Sequence, residues 1–378
     1  MQRYRHLFDE MTLWFLPVGT HFDKIVIACR VPQDYADYYG SFGLELPSAV
    51  TAGDDCADMQ GVAWGWNDES VQMFKHYGAT LAYPPTAVVA RVNSREFAAQ
   101  IGRELGYGVD DSRMCYSAEE VLAAAGDFND RPLVVKPCYG NAGIGFVRLK
   151  PGGVGAQEKN RICRLFEQGA ACVSVEPWLE RQLDVSTRFT VEQNGVVSEL
   201  FHHPTLITAA GGFYGLMLEV DGMSVLPWQT ELDAMARHAA ERLYLEGYWG
   251  PVTIDSMVVR DSRQQARLVC LIDINARQSM SLIAYSLRER LAPGRHCLMR
   301  TIGKKQHRLP EDYPQWRERI GSLCYDPQTR AGVVCVTPLW YEKGGQKMRP
   351  YRSIFFIAGE SKEQLQKMDK QLTNLIKR

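Results

Sequence analysis

The chain has 378 residues, of which 46% are hydrophobic and 23% are charged. This composition is typical of a globular protein, and the length is enough for two or three packed units. The formal net charge is -1 at pH 7, so no overall positive field would attract nucleic acid or an anionic membrane surface. We therefore expect neither as a partner.

Ten cysteines are spread along the chain without a Cys-x-x-Cys pair. This distribution favours buried, reduced thiols over a disulfide framework or a zinc site. The charged segment Met1 to Glu10 lacks the apolar core of a signal peptide. The longest uncharged stretch, His202 to Leu218, contains three glycines and is too short for a membrane helix. These features predict a cytoplasmic protein without membrane segments.

The first 90 residues have the pattern of a small α/β domain. The apolar run Lys24 to Cys29 predicts a buried strand, and Asp68 to Tyr77 predicts a helix. Ala79 to Ala82 predicts a further strand. No Gly-x-Gly-x-x-Gly motif opens a helix in this region, so a dinucleotide-binding fingerprint is absent.

A new segment begins with the helix start Asn93-Ser94-Arg95-Glu96, where Asn93 or Ser94 would cap the helix. Two short helices and several apolar strands follow. The first of these helices starts at the capping-box pair Ser117 and Glu120. We predict that residues of about 112–176 form a small α+β lobe.

The centre of this lobe is a glycine-spaced hairpin. The apolar run Leu133 to Val135 carries Lys136 to the end of a strand. The loop that follows is spaced by Gly140, Gly143 and Gly145. Such a loop lets backbone N–H groups approach a phosphate while the lysine supplies charge. It is not a Walker A loop, because no Lys-Ser or Lys-Thr follows the glycines. A plain surface hairpin is the alternative.

Two further hairpins follow in the chain. Val185 to Val191 and Val196 to Phe201 flank an Asn-Gly turn, which predicts the first of them. Pro251 to Arg260 and Ala266 to Asn275 predict the second. No internal repeat or low-complexity linker separates these elements.

The second hairpin carries acidic and amide side chains. Successive side chains alternate along a strand, so Asp273 and Asn275 project from one face. Arg277 joins them if the strand stays extended, and Asp255 lies on the preceding strand. Two carboxylates and an amide oxygen on one surface suit a hard cation such as Mg²⁺ that bridges phosphates. An exposed acidic sheet face is the alternative.

A strand end at Glu176 is compatible with nucleotide binding. Backbone that leaves a sheet at Trp178 and Leu179 could bond a purine edge, and Asp184 could accept from ribose hydroxyls. A capped turn is the alternative.

The glycine-rich segment His202 to Leu218 predicts a flexible loop that covers a substrate. An imidazole of the histidine pair could act as a base there, and a hydrogen-bonded structural histidine is the alternative. The predicted substrate contacts are His202, His203, Gly211, Gly212, Arg277 and Ser279.

In chain order these motifs resemble the ATP-grasp superfamily over about residues 90–290. The resemblance rests on a basic helix start, a lysine hairpin, a Glu hinge, an Asp strand and an Asp-x-Asn strand. It implies an α/β protein with the ATP-grasp fold, in which two α+β lobes enclose ATP. The ATP-grasp domain would span 91–310, after an N-terminal α/β pre-ATP-grasp domain at 1–90. A C-terminal α/β extension would follow at 311–378.

The resemblance also implies roles for individual residues. Arg95 takes the place of an early lysine near the α-phosphate, and Lys136 matches the lysine at the α- and β-phosphates. The remaining nucleotide contacts would be Gly140, Gly143, Gly145, Glu176, Trp178, Leu179 and Asp184. The metal ligands would be Asp255, Asp273 and Asn275. Asp273 departs from the family, because glutamate is usual at this position.

Arg277 follows the metal strand in an Asn-x-Arg pattern that resembles carbamoyl phosphate synthetase and biotin carboxylase. In those enzymes this arginine serves the acyl-phosphate step, so Arg277 and Lys136 are the implied catalytic residues. ATP and Mg²⁺ are the implied cofactors. We expect a ligase that joins a small-molecule carboxylate to an amine, either amino acid or peptide-like, and that could form a homodimer. Transfer to a thiol or bicarbonate, and a non-catalytic nucleotide-binding module, are the alternatives.

Overall fold

The computed structural model describes residues 10–51, 53–140, 145–261 and 263–377. The chain separates into two compact units. Unit 1 comprises Met1–Asp54, Tyr214–Met223 and Met280–Arg378, and unit 2 comprises Asp55–Phe213 and Ser224–Ser279. All the site residues predicted from the sequence fall within the ranges of unit 2. The domain boundaries at 90 and 310 stay predictions.

The described residues contain sixteen strands, numbered here in chain order. The first eight are β1 (Lys24–Ile25), β2 (Ser48–Ala49), β3 (Arg113–Cys115), β4 (Leu133–Pro137), β5 (Val147–Leu149), β6 (Val173–Pro177), β7 (Arg181–Val191) and β8 (Val197–Ile207). The others are β9 (Phe213–Leu218), β10 (Gly250–Arg260), β11 (Ala266–Asn275), β12 (His296–Gly303), β13 (Gly332–Cys335), β14 (Tyr341–Lys343), β15 (Gln346–Met348) and β16 (Arg352–Gly359).

Ten α-helices are present in the same part of the chain. They are α1 (Gln33–Gly40), α2 (Asp68–His76), α3 (Thr86–Val92), α4 (Arg95–Leu105), α5 (Ala118–Asp127), α6 (Ala156–Glu167), α7 (Gln229–Leu245), α8 (Met280–Leu291), α9 (Tyr313–Ile320) and α10 (Lys362–Ile376). Short 3-10 helices occur at Thr12–Phe15, Leu226–Trp228 and Gly321–Leu323. Within the described ranges, no helix combines the length and the apolar character needed to cross a bilayer.

Side-chain caps fix where the helices next to the site begin. The Ser94 hydroxyl accepts from the backbone N–H of Phe97, so α4 starts at Arg95 as the sequence predicts. Ser117 caps α5 in the same way by accepting from the N–H of Glu120. Such a cap contributes about 1 kcal/mol. At the start of α4 the cap also fixes the backbone that carries the Arg95 side chain.

The small lobe of unit 2, residues 113–177, has its own sheet and its own core. Its strand order is β3–β6–β4–β5, and every pair is antiparallel. Its core combines strand residues such as Val135 with Val121 of α5 and Ile162 of α6. The pairing of β4 with β6 sets Lys136 opposite Ser174, two residues from Glu176. Lys136 and Glu176 are therefore diagonal neighbours on one face.

The larger sheet of unit 2 has the strand order β11–β10–β7–β8, again antiparallel. Its register aligns one row of side chains across the four strands, namely Asp273, Asp255, Ser186 and His203. The next row on the same face is Asn275, Thr253, Arg188 and Phe201. The opposite face carries buried residues such as Ile254 and Phe189, in one core with Ile101 of α4 and Leu232 of α7. Burying this apolar face leaves the polar rows on the other face.

Unit 1 is built on antiparallel strands in the order β9–β12–β16–β13. Its core includes an aromatic cluster in which Tyr35 and Tyr39 of α1 are fully buried. The Tyr35 hydroxyl donates to the Val336 carbonyl at 2.5 Å, and the Tyr39 hydroxyl donates to the Cys335 carbonyl at 3.1 Å. This cluster stabilises unit 1 and leaves no polar hydroxyl of these two tyrosines unbonded.

Three local predictions are wrong. The strand predicted for 24–29 is limited to β1, because its partner β2 offers only two residues for pairing. Residues 79–82 form a single bridge, Gln60 to Thr80, because no longer strand lies beside them. The segment 202–218 is not one flexible loop. Strand β8 continues to Ile207 and β9 begins at Phe213, since both find antiparallel partners, and only 208–212 connect them.

Candidate active site

The lysine of the glycine hairpin lies beside a buried carboxylate. The Lys136 Nζ is 2.5 Å from Glu176 Oε2, and the Ser174 hydroxyl donates to Oε1 at 2.5 Å. Lys136 and Glu176 are only 8% and 5% exposed. Burial alone would raise the pKa of Glu176, but the charges of Lys136 and Arg95 outweigh it and lower that pKa. Glu176 is therefore an ionised carboxylate that orients the lysine.

Arg95 connects the small lobe to the larger sheet of unit 2. Its Nη2 lies 3.2 Å from Asp273 Oδ2, and its Nε donates to the Pro137 carbonyl at 3.2 Å. Burial would lower the pKa of Arg95, but Asp273 and Glu176 raise it. A predicted nucleotide contact and a predicted metal ligand are thus in direct contact.

The glycine loop borders these cations. The Phe146 ring centre lies 5.9 Å from the Arg95 guanidinium and 5.7 Å from Lys136 Nζ, within cation–π range. A side chain at Gly140 would stand 3.6 Å from Arg95 Nη2. Gly145 has a φ of 86°, in the left-handed region that favours glycine. Gly143 lies outside the described residues.

The predicted metal ligands share one face of the β10–β11 pair. Asp255 stands directly opposite Asp273 in the register. The Ser186 hydroxyl donates to Asp255 Oδ1 at 2.8 Å, and the Asn275 amide donates to Oδ2 at 3.2 Å. Burial, and then the charge of Asp273, raise the pKa of Asp255 to about 6. Like charges opposite each other are destabilising, so a bound cation would relieve this pair.

This donor set fits Mg²⁺. In the described part of the chain, no group of three or more His, Cys, Asp and Glu side chains could hold a metal by itself. The predicted set is smaller, with two carboxylates and an amide oxygen. Mg²⁺ is commonly held by one or two carboxylates together with substrate phosphates and water. Asp255 and Asp273 stand opposite each other with Asn275 on the same face, and this arrangement would suit a cation.

Arg277 lies two residues beyond Asn275, the last residue of β11. Its Nη1 donates to Asn275 Oδ1 at 2.5 Å. Burial lowers the pKa of Arg277, while Asp273 and Asp255 act against this and favour the cation. The neighbouring Gln278 N–H donates to the Trp64 carbonyl at 2.8 Å, which holds the backbone beside Arg277. The guanidinium is thus placed next to the acidic pair.

The predicted adenine hinge is only partly available to a ligand. The Trp178 N–H donates to the Pro132 carbonyl at 2.8 Å, so this N–H is already bonded within the protein. The Trp178 ring lies 3.9 Å from the Arg148 guanidinium. Gly211 lies close by, because a Cβ there would be 3.4 Å from Trp178 Cη2.

Asp184 lies one row along from Ser186 on the face of Asp255. It pairs with Thr205 of β8 and Met257 of β10. Burial raises the pKa of Asp184, and Arg181, whose Nη1 is 3.8 Å from Oδ2, opposes this.

The two histidines of the predicted substrate set lie on opposite faces of β8. His203 lies in the row of Asp255, and burial lowers its pKa to about 4, so it is neutral at pH 7. His202 points to the other face, where its Nδ1 is 2.9 Å from Thr187 Oγ1. Its Nε2 is 2.9 Å from Asp233 Oδ1 of α7. The structure therefore does not bring His202 to the site.

Two further members of the predicted substrate set, Gly212 and Ser279, form hydrogen bonds with neighbouring hydroxyl groups. The Gly212 N–H donates to Thr208 Oγ1 at 3.0 Å within the 208–212 connection. Ser279 Oγ accepts from the Thr253 hydroxyl at 2.9 Å.

Sequence reasoning missed Arg188. This residue is 6% exposed, its Nη2 donates to Gln278 Oε1 at 3.4 Å, and its guanidinium lies 5.7 Å from the Phe201 ring centre. The signal was present, because Asp184, Ser186 and Arg188 alternate along one strand and share a face. Ser186 was missed in the same way.

No protein-family model matches the sequence, and no curated protein is significantly similar to it. Solved structures do match its fold. The N5-carboxyaminoimidazole synthase of Aspergillus clavatus, in complex with ADP and 5-aminoimidazole ribonucleotide, aligns with a TM-score of 0.56 and 10% identity. The match covers 93% of this chain and 98% of that chain.

Two further structures match over most of their length. N5-carboxyaminoimidazole synthetase from Staphylococcus aureus, complexed with ADP, has a TM-score of 0.53 and 12% identity, with 86% and 85% of the two chains covered. A biotin carboxylase from Campylobacter jejuni has a TM-score of 0.52 and 13% identity, with 82% and 72% covered. These are enzymes of the ATP-grasp superfamily. The fold predicted from the order of the motifs is confirmed: this chain is an α/β protein with the ATP-grasp fold.

Proposed function

We propose that the protein is an ATP-dependent ligase that uses Mg²⁺ and forms an amide through an acyl phosphate. The fold supports this proposal, and two of the similar structures were solved with ADP. The substrates would be a small carboxylate and an amine, of amino-acid or peptide-like chemistry.

The contact between Arg95 and Asp273 carries the proposal. Through it the start of α4, the lysine strand and the acidic pair meet at one place in unit 2. Cations for phosphate oxygens thus lie beside carboxylates for a metal, which is the arrangement that phosphoryl transfer needs.

Each residue would then have a distinct task. Lys136 and Arg95 would neutralise phosphate oxygens, and Glu176 would orient Lys136. Asp255, Asp273 and Asn275 would hold Mg²⁺, which would neutralise charge on the phosphates. The guanidinium of Arg277 would hold the substrate carboxylate, in two parallel hydrogen bonds where the geometry allows.

The proposed reaction has two steps. A carboxylate oxygen attacks the γ-phosphorus, the bond to the β,γ-bridging oxygen breaks, and ADP leaves with that oxygen. The amine nitrogen then attacks the acyl carbon, the C–O bond to phosphate breaks, and the nitrogen loses a proton. The chain's contribution is positioning and charge neutralisation, which can lower a barrier by several kcal/mol.

The test is ADP release from Mg-ATP with amino acids supplied singly and in pairs. Hydroxylamine is added in parallel, because it converts an acyl phosphate into a stable hydroxamate. We expect carboxylate-dependent hydroxamate and ADP in equal amounts. Arg113→Lys is the matched control, since Arg113 pairs with Asp127 on the surface of the small lobe. Release of AMP, or no carboxylate dependence, would contradict the proposal.

Bicarbonate is the second candidate for the activated carboxylate. The observation that favours it is that the similar structures include a biotin carboxylase and carboxyaminoimidazole synthases. ADP release in buffer depleted of carbon dioxide separates the two candidates. Release that requires added bicarbonate and no other acid would select this one.

A further inference from the structure

A cavity of about 130 Å³ lies in unit 2 where β11 ends. It is lined by residues 60–66, Ala82, residues 248–251 and residues 276–278. Its aromatic lining residues are Trp64, Trp66, Tyr248 and Trp249. Arg277 belongs both to this lining and to the acidic cluster of the candidate active site. The cavity therefore adjoins the proposed chemistry.

The wall formed by 64–66 is fixed against Arg277. A Cβ at Gly65 would lie 3.3 Å from the Cβ of Arg277, so the chain passes close to the stem of that side chain. The Trp64 carbonyl accepts from the N–H of Gln278 at 2.8 Å. Trp66 stacks on Tyr83 at a ring distance of 5.0 Å. Packing and hydrogen bonds thus hold this wall in place.

The wall formed by residues 248–251 is also fixed. The Tyr248 hydroxyl donates to the Pro251 carbonyl at 2.7 Å, so its polar group needs no partner from the cavity. Tyr248 is 2% exposed. Among the described residues that line the cavity, Arg277 is the charged one. The cavity therefore combines mostly uncharged, aromatic-rich walls with a single guanidinium.

We propose that this cavity binds the side chain of the carboxylate substrate, and that this side chain is a compact apolar or aromatic group. Arg277 holds the carboxylate while the side chain lies among Trp64, Trp66 and Trp249. An apolar cavity of about 150 Å³ is known to bind benzene, so the present volume suits groups from isobutyl to phenyl. A charged or longer side chain would lose its hydration or fail to fit. The inference rests on the proposed function, because it names the substrate class of the same site.

Binding is measured by tryptophan fluorescence, since three tryptophans line the cavity. The probes are two pairs of amino acids of equal shape, valine with threonine and leucine with asparagine, and phenylalanine as the largest apolar probe. We expect each apolar member to bind at least about 10-fold more tightly than its polar partner. An apolar pocket discriminates between an apolar side chain and a polar one of the same shape by this amount or more. ADP release with the same probes gives an independent reading.

Two variants change the cavity in opposite directions. Ala82→Leu fills it and should lower kcat/KM for phenylalanine about 10-fold or more relative to valine. Trp249→Phe enlarges it and should shift the preference towards phenylalanine. Ala79→Leu is the matched control, because Ala79 lies three residues earlier and does not line the cavity. The KM for ATP should stay unchanged in all three variants.

The outcomes separate this inference from the proposed function. Probes that bind with the expected preference but release no ADP would support binding in the cavity and would overturn the proposed ligase function. ADP release without preference between valine and threonine would overturn the role of the cavity and would leave the proposed ligase function standing. Shifts in the same direction for Ala82→Leu and Trp249→Phe would also overturn it. Unfolding curves check each variant, and Trp249→Phe alone decides the test if Ala82→Leu does not fold.

Discussion

The two halves of the candidate active site differ in how their charges are balanced. In the small lobe, buried Glu176 is paired with Lys136 at 2.5 Å, and its pKa is lowered despite burial. On the larger sheet, Asp255 stands opposite a second carboxylate, Asp273, and its pKa is raised to about 6. Arg95 bonds Asp273 and lies near Glu176, so it contributes to both halves.

This difference shows which half has balanced charges without a bound ligand. The Lys136–Glu176 pair satisfies itself and keeps a lysine oriented without a ligand. The carboxylates of Asp255 and Asp273 stand opposite each other and repel, although Arg95 contacts Asp273 and Arg277 lies nearby, and a bound cation would reduce this repulsion. Removing Lys136 should therefore cost stability in the first half, whereas neutralising Asp255 should relieve repulsion in the second.

The largest effect is expected for Lys136→Met. Turnover should fall about 10³-fold, because a cation at the phosphates is lost. The buried Glu176 also loses its partner, so the free energy of unfolding should fall by about 3 kcal/mol. Steady-state ADP release and urea unfolding measure the two effects. The double variant Lys136→Met with Glu176→Gln should recover most of the stability and none of the turnover. Unchanged stability in Lys136→Met would show that Glu176 does not depend on Lys136 for its charge balance.

Asp273→Asn tests the other half. Turnover should fall about 10²-fold or more, and the Mg²⁺ concentration for half-maximal rate should rise, because a charge aimed at the cation is removed. ATP binding without Mg²⁺ should change much less, as calorimetry can show. Asp233→Asn is the control, since Asp233 pairs with His202 on the other face of the sheet. Equal losses with and without Mg²⁺ would indicate a structural role for Asp273.

Arg277→Lys keeps the charge and loses the planar pair of donors. We expect turnover to fall about 10²-fold, while ATP affinity stays near that of the unchanged protein. ADP release beside ATP calorimetry makes this comparison. Normal turnover would remove Arg277 from the acyl-phosphate step. A parallel loss of ATP binding would place the residue on the nucleotide side.

The last test follows stability rather than turnover, as a function of pH in Asp255→Asn. The folded pKa of Asp255, about 6, lies above its unfolded value near 4. Its contribution to stability is therefore fully present below about pH 4 and is lost as the pH rises through about 6. The variant should gain up to about 3 kcal/mol of unfolding free energy relative to the unchanged protein at pH 8. This gain should shrink towards pH 4.

Mg²⁺ provides the control for that measurement. It should stabilise the unchanged protein at pH 8 and should stabilise Asp255→Asn less, since the charge that attracts it is gone. Thermal unfolding at several pH values would show both trends. A gain that does not depend on pH would contradict the raised pKa.

Local sequence signals were sufficient for several parts of the site. Ser94 caps α4 and so places Arg95, as its position before the helix predicts. Lys136 lies at the end of an apolar strand, and the alternation of Asp273 with Asn275 puts both on one face. These features depend on residues a few positions apart, and the backbone geometry of a cap or a strand fixes them.

Other features depend on how distant strands pair. The sequence placed His202 and His203 together in a flexible loop, whereas the pairing of β8 with β7 puts them on opposite faces and turns His203 towards Asp255. The contact of Glu176 with Lys136 likewise follows from the register of β4 on β6.

The sequence by itself therefore determined the order of the motifs, the fold they belong to, and the alternation of Asp273 and Asn275 along β11. Side-chain periodicity and helix capping depend on residues close in sequence, so they can be predicted without knowing which other segment lies beside them. Tertiary structure decided which of those residues meet. The register is set by burying the apolar face of unit 2 on α4 and α7, which aligns the polar rows on the other face. The approach of Trp64 to Arg277 has no local signal, because packing between distant segments places one beside the other.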